Sequence, residues 1–250
     1  MLKLLTLADP YSIFIENNSI MEKNNMPPRR KFLQTLATGT AALGIASVIS
    51  PFQQIQASPA LTLTDPSPDE WFDKIKGKHK MVFDATRPHD MMPFAWPKVF
   101  GLTNAATGTP MKDCGIVVVL RHSAIGYAMP DAMWAKYNFG QLFEAEDPKT
   151  KKPSDRNPFW QPKPGDFKIP GVGEVAIGIN ELQQDGVMFC VCNMAITVYS
   201  AVAAGMMKMT ADDVKKEWLS NILPGIQVVP SGVWAVGRAQ EHGCAYCFAG

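Results

Sequence analysis

The stretch GVMFCVCNMAI, residues 186–196, decides the fold. Its first part, Gly186 to Cys192, is a short and nearly continuous apolar run, which is typical of a strand buried on both faces. A helix is predicted to begin directly afterwards, around Asn193 to Ala195. A buried strand that runs straight into a helix indicates a parallel sheet with helices on its faces.

The same alternation continues on both sides of this stretch. Further strands are predicted at Lys80–Ala85, Gly115–Leu120 and Ile226–Pro230. Helices are predicted in four stretches with capping and stop signals, which are PDAMWAKYNFG (130–140), EVAIGINELQQDG (174–186), TADDVKKEWLSNILPG (210–225) and SGVWAVGRAQEHG (231–243). The sequence therefore predicts an α/β protein with a mostly parallel sheet.

The N-terminal region has the pattern of an export signal. Arg29, Arg30 and Lys31 directly precede an uncharged stretch from Phe32 to Thr64. The pattern Arg-Arg-x-Phe-Leu looks like a twin-arginine signal. We expect residues 1–57 to be this signal, cleaved after Ala57, and residues 58–78 to be a linker; a permanent membrane anchor is the alternative.

The length and the net charge of the chain argue for one domain and against some classes of function. The chain has 250 residues and a net charge of +1, with no basic stripe, which argues against nucleic-acid binding. One domain is expected, at residues 79–250, and membrane contact only through the signal segment. Because the twin-arginine pathway exports folded proteins, and because five cysteines is an odd number, the fold should not depend on disulfides.

Two segments resemble the DsrE/DsrF-like sulfur-relay family. They are GVMFCVCNMAI and LPGIQVVPSGVWAVGRAQEHGCAY, residues 223–246. Family members have a strand ending in Val-Cys, then a helix, then Leu-Pro-Gly-x-x-Val-Val-Pro-Ser-Gly-Val and Arg-x-Gln-x-x-Gly. The resemblance implies a flavodoxin-like three-layer sandwich of about five strands, commonly oligomeric and often trimeric.

The family resemblance also implies a function. In its sulfur carriers, the cysteine at the strand-to-helix junction bears a persulfide and exchanges sulfur with donor or acceptor proteins. The matching residue is Cys192. The carriers follow this cysteine with an Arg-Arg-Gly turn, near which this chain has Tyr199 and Ser200. No cofactor is expected other than a covalent persulfide.

Physical reasoning also singles out Cys192. Ligands of open parallel sheets bind beyond the carboxyl ends of the strands, and the positive end of a helix stabilises a thiolate there. Cys190 is expected on the same face, with its Cα about 6.6 Å away, at the outer limit for a disulfide. It is a candidate supporting thiol. A soft-metal pair with Cys192 is also possible, but core packing is the interpretation that we favour for Cys190, and it is the alternative for Cys192.

Two polar clusters are expected at the same edge of the sheet. Arg121 and His122 follow a predicted strand, as candidates for an anion anchor and a proton donor or base. A second cluster follows the first strand and consists of Asp84, Arg87, His89 and Asp90. Structural roles and a solvated loop are the respective alternatives.

The C-terminal GCAYCFAG contains a Cys-x-x-Cys spacing. In a terminal strand, Cys244 and Cys247 would lie about 10 Å apart on opposite faces, too far for a disulfide or for one metal ion. We predict this strand; a thiol pair, with or without a metal, is the alternative if the chain turns here. The remaining cysteine, Cys114, is predicted to be buried at the opposite end of the sheet.

Residues 144–173 interrupt the alternation with six prolines. A connection of this length is a lid, a partner-binding element or an exposed ornament, and we favour the ornament, with Phe159 and Trp160 packed on the domain. The functions that compete with sulfur relay are a non-catalytic module for a small anion or soft metal and an oligomeric docking protein.

Overall fold

A computed structural model describes residues 68–250. The strands are β1 (Lys80–Ala85), β2 (Gly115–Leu120), β3 (Lys168–Ile169), β4 (Gly173–Glu174), β5 (Met188–Cys192), β6 (Ile226–Val229) and β7 (Ala245–Phe248). The helices are α1 (Met92–Ala106), α2 (Asp131–Tyr137), α3 (Phe139–Leu142), α4 (Ile179–Gln184), α5 (Asn193–Met207), α6 (Ala211–Ser220) and α7 (Gly232–Glu241). The predicted signal, and the linker up to residue 67, lie outside the described residues.

Five strands form one parallel sheet in the order β6-β5-β2-β1-β7. The chain moves outward from β1 to β6 and then returns to place β7 on the other side of β1, so the direction of winding reverses between β1 and β7. Helices cover both faces, which confirms the predicted three-layer α/β sandwich. In flavodoxin itself the order is 2-1-3-4-5, with the reversal between the first and third strands.

The two faces of the sheet bury different apolar clusters because side chains alternate along each strand. On one face, Phe83, Val118 and Phe189 belong to the larger cluster, together with residues of α1 to α6. On the other, the smaller cluster contains Val82 and Val119 together with residues of α7. The near-continuous burial of β2 follows from this double coverage.

The domain begins earlier than predicted. Residues Glu70–Lys74, assigned above to a linker, form a 3₁₀ helix. Trp71, Phe72 and Ile75 are buried in the smaller cluster, and Phe72 packs edge-to-face on Trp234 of α7. Burial of these aromatic side chains stabilises the segment, although the polar, proline-rich sequence around it does not predict a folded structure.

The insert at residues 144–173 is built into the domain, so its interpretation as an exposed ornament was wrong. Phe159 is 2% exposed and stacks on Phe94 of α1 and on Phe167. The Asn157 side chain, also buried, donates hydrogen bonds to the carbonyls of Tyr127 and Met129. The insert thus contributes to the larger core, with β3 and β4 as a small antiparallel pair.

Carboxylates hold the insert together. Asp147 accepts hydrogen bonds from Thr150 N–H and Arg156, and Asp166 is paired with Lys149 and Arg156. Burial opposes ionisation of both groups, but the N–H donor and Arg156 lower the pKa of Asp147, and Lys149 and Arg156 lower the pKa of Asp166. Both side chains therefore act as carboxylates.

We expect the stability of the protein to fall at acid pH through this network. A carboxyl whose pKa is lowered by folding stabilises the fold above its unfolded value, about 3.9, and that contribution is lost as the pH drops further. The urea concentration at the unfolding midpoint, measured at several pH values below about 4, should therefore fall less steeply with decreasing pH in an Asp147→Asn/Asp166→Asn variant than in the wild type. Equal slopes would contradict this assignment.

No single helix within residues 68–250 is long and apolar enough to cross a membrane; α5 and α6 pass that test only as a pair bent by 118°.

Candidate functional site

Cys192 lies where β5 ends and α5 begins. Its Sγ accepts a hydrogen bond from the N–H of Ala195 at 3.2 Å, so the cysteine caps the helix with its own side chain. The residue is 6% exposed. The predicted strand-to-helix junction and the position of the thiol at the helix N-terminus are both present.

Arg121 follows β2, the strand next to β5, and occupies the same edge. Leu120 is in register with Val191, which places Arg121 level with Cys192. The guanidinium binds the carboxylate of Asp84 on β1 in a bidentate manner, with Nε–Oδ1 at 2.6 Å and Nη2–Oδ2 at 2.8 Å. This geometry fixes the guanidinium plane beside the end of β1.

The surroundings of Arg121 and Tyr246 determine the charge states of these two side chains. Asp84 is almost fully buried and also accepts a hydrogen bond from Tyr246 Oη of β7 at 2.9 Å. The pKa of Arg121 is raised, chiefly by the hydrogen bond to Asp84 and in smaller part by the charges of Asp84, Tyr246 and Cys192. The pKa of Tyr246 is raised by burial and then by Asp84. Arg121 is therefore a guanidinium and Tyr246 a neutral phenol.

Gly232 at the start of α7 makes room for the Arg121 side chain. A Cβ at this position would lie 2.4 Å from Arg121 Cβ, closer than atoms pack. The preceding residue, Ser231, caps α7 through its hydroxyl, and the carbonyl of Pro230 accepts a hydrogen bond from Met194 N–H in α5. The Pro-Ser-Gly segment therefore connects the N-termini of α5 and α7 with Arg121.

His122 is exposed, with a left-handed backbone at φ 49°, and contacts Tyr199 of α5. Tyr199 Oη lies 3.3 Å and 3.4 Å from the two ring nitrogens of His122, and the two rings meet edge-to-face. Tyr199 is thus a neighbour of His122 at this edge of the sheet. The predicted proximity of His122 to this edge of the sheet is present.

The prediction that Cys190 and Cys192 share a face of the sheet was wrong. Cys190 is fully buried in the smaller cluster with Val117 and Val119, whereas Cys192 belongs to the larger one. The difference arises because the strand ends at Cys192, where the backbone turns into the helix. Burial raises the pKa of Cys190 far above its usual value, so this residue is a core thiol and not a supporting nucleophile.

The predicted terminal strand is present: Cys244 directly precedes β7, and Cys247 lies within it. Cys244 is buried in the smaller cluster and precedes β7, while Cys247 packs against the larger one, so they face opposite sides. Burial raises the pKa of Cys244 to about 11 and also raises the pKa values of Cys247 and Cys114. Cys114 is buried beside the start of β2, as expected. Among residues 68–250 no three His, Cys, Asp or Glu side chains converge as a metal site.

The second predicted polar cluster is divided between two places. Asp84 belongs to the ion pair with Arg121, and Arg87 is exposed. His89 and Asp90 instead line a recess of about 240 Å³ between the loop after β1 and the insert. The sequence could not show this, because the recess is completed by residues far along the chain.

The polar walls of this recess come from both segments. Glu144, Glu146 and Lys151 of the insert face it together with His89 and Asp90. Asp90, Glu144 and Lys151 have positive φ values of 46°, 56° and 55°, a conformation that costs a non-glycine residue about 1 kcal/mol or more. The buried floor includes Tyr127 and Phe159.

Comparison with known proteins gives no family and a distant structural similarity. No family model matches the sequence, and no curated protein matches it. Among solved structures, a protein of unknown function from Methanobacterium thermoautotrophicum is similar, with 18% identity and a TM-score of 0.34, over 68% of this chain and 99% of that one.

Proposed function

We propose that this protein is a sulfur-carrying thiol protein in which Cys192 accepts a sulfane sulfur atom and passes it to a partner. The observation that carries the proposal is the position of Cys192 Sγ, which accepts the Ala195 N–H at the N-terminus of the fifteen-residue α5. Both the N–H donor and the helix dipole favour negative charge on sulfur. The resemblance to DsrE/DsrF-like carriers supports the same residue.

The chemistry needs only a thiolate and a persulfide donor. The Cys192 thiolate attacks the outer sulfur of the donor, an S–S bond forms to Sγ, and the donor's own S–S bond breaks. The bonding electron pair leaves with the donor thiolate, and the proton of the donor's S–H group remains on the transferred sulfur or dissociates. Transfer to an acceptor thiolate follows the same steps in reverse, so no oxidant is required.

Arg121 supplies a positive charge at the same edge of the sheet as this thiol. Its guanidinium is held by Asp84, and its side chain is 28% exposed, so it is in contact with water. An anionic outer sulfur on Cys192 would gain from a fixed cation at this edge. Arg121 is thus a positioning residue for the persulfide.

Incubation with a small persulfide donor tests the proposal. We expect intact-mass spectrometry to show one added sulfur atom in the wild type and none in Cys192→Ser. Cys247→Ser is the matched control, because Cys247 is the most exposed of the five cysteines and should be dispensable. Equal uptake by Cys192→Ser would rule out the assignment.

An anion-binding module is the second candidate, favoured by one observation. Asp84 uses Nε and Nη2 of Arg121, and Nη1 has no hydrogen-bond partner in the part of the chain that the structure describes. A small oxyanion such as thiosulfate would fit this donor. Suppose that Cys192→Ser binds thiosulfate as tightly as the wild type and that neither protein takes up sulfur. The protein is then better described as an anion-binding module than as a sulfur carrier.

Export and self-association belong to the same proposal and rest on the sequence alone. We expect Arg29→Lys/Arg30→Lys to leave the protein in the cytosol in a cell-fractionation assay, whereas the wild type reaches the periplasm. Export of the variant at the wild-type level would contradict a twin-arginine signal. Sedimentation of the exported protein as a trimer would support the oligomer that the resemblance implies.

A further inference from the structure

The recess beside the insert has the dimensions of a small-molecule site. Its volume is about 240 Å³, which suits a ligand smaller than the molecules that fill pockets of about 300–1,000 Å³. It lies between the loop after β1 and the insert, and Asn157 and Phe159 anchor the insert in the core. The walls are therefore held in place by the buried structure behind them.

Tyr127 provides the strongest indication of a ligand. It is 2% exposed, and its ring packs against Phe94, Trp134 and Phe159. No side chain or backbone group within residues 68–250 hydrogen-bonds to its hydroxyl, although Tyr127 lines the recess. The recess is the open side from which a hydrogen-bonding partner can reach this hydroxyl.

The charges around the recess select the kind of partner. The charged residues that line the recess are three acidic ones, Asp90, Glu144 and Glu146, and one lysine, Lys151. Burial and then the nearby charge of Asp90 raise the pKa of Tyr127, so its hydroxyl stays neutral and can accept a hydrogen bond from a cation. An excess of negative charge above aromatic rings favours a positively charged ligand.

We propose that this recess binds a small protonated primary or secondary amine. The ammonium N–H groups would donate to Tyr127 Oη and to the carboxylates, and the apolar part of the amine would rest on the aromatic floor. The site is separate from Cys192 and does not depend on sulfur transfer.

Calorimetric titration of the full chain tests the proposal with three probes: butylammonium, tetramethylammonium and butyrate. We expect butylammonium to bind, tetramethylammonium to bind several-fold more weakly because it has no N–H, and butyrate not to bind. Tighter binding of butyrate than of butylammonium, or equal binding of the two cations, would overturn the proposal.

Two tyrosine variants separate a binding role from a structural one. Tyr127→Phe should weaken butylammonium binding about tenfold or more while leaving the ligand-free protein as stable as before, since the hydroxyl has no partner to lose. Tyr137→Phe is the matched control, because Tyr137 Oη donates to Glu217 at 2.6 Å; it should lose stability and keep its affinity. Unchanged affinity in Tyr127→Phe would refute the assignment.

Discussion

Asn157→Ala should destabilise the protein by about 3–5 kcal/mol, the largest loss that we expect from a single polar side chain. The Asn157 amide donates to the carbonyls of Tyr127 and Met129 and accepts from Phe159 N–H, and the residue is 1% exposed. The alanine leaves three buried backbone groups without partners. A typical domain has only about 5–15 kcal/mol of stability, so this loss is severe.

Urea unfolding of Asn157→Ala measures the effect, and Asn104→Ala is its control. The Asn104 side chain donates to a carbonyl of its own helix, at Phe100, and contributes little to tertiary structure. Its substitution should change the free energy of unfolding by less than about 0.5 kcal/mol. A loss below about 1 kcal/mol in Asn157→Ala would show that the insert is not anchored through this amide.

Arg121→Met should cost about 3 kcal/mol, because it leaves the buried carboxylate of Asp84 without its guanidinium. The Asp84 side chain is 3% exposed, and Tyr246 would remain as its only side-chain hydrogen-bond donor among the described residues. We place the loss at the lower end of the range for buried pairs because the Arg121 head is partly exposed. Sulfur uptake on Cys192 should also decline.

Adding Asp84→Asn to Arg121→Met should recover part of the stability, since no unpaired charge then remains buried. Lys168→Met is the control: Lys168 and Glu174 form an exposed pair at 3.5 Å, which should be worth less than about 1 kcal/mol. If Arg121→Met and Lys168→Met lose the same amount, the ion pair at the edge of the sheet does not stabilise the fold.

The parallel sheet could be predicted from local sequence because its strands are buried on both faces. The bounds predicted for β1 and β2 match the observed ones, and Thr210 and Ser231 cap α6 and α7 as expected. Helix α1 was missed. Pro93 and Pro97 argue against a helix, but Pro93 lies in its first turn, where no N–H is needed, and Pro97 removes only one internal bond.

The candidate sites could be predicted only in part. Cys192 was identified because a thiol at a strand-to-helix junction has a recognisable local pattern. The pairing of Asp84 with Arg121 and the need for Gly232 depend on strand order, which no local pattern specifies. The recess could not be predicted from any local pattern, because its floor and its walls come from three separate segments.

The most direct test of the central claim is to locate the sulfur atom. After loading with a persulfide donor, the protein is trapped with an alkylating agent and digested, and fragment ions assign the extra sulfur among Cys114, Cys190, Cys192, Cys244 and Cys247. We predict that it lies on Cys192. Sulfur found on Cys247, or on none of the five, would contradict the proposed role of the thiol at the start of α5.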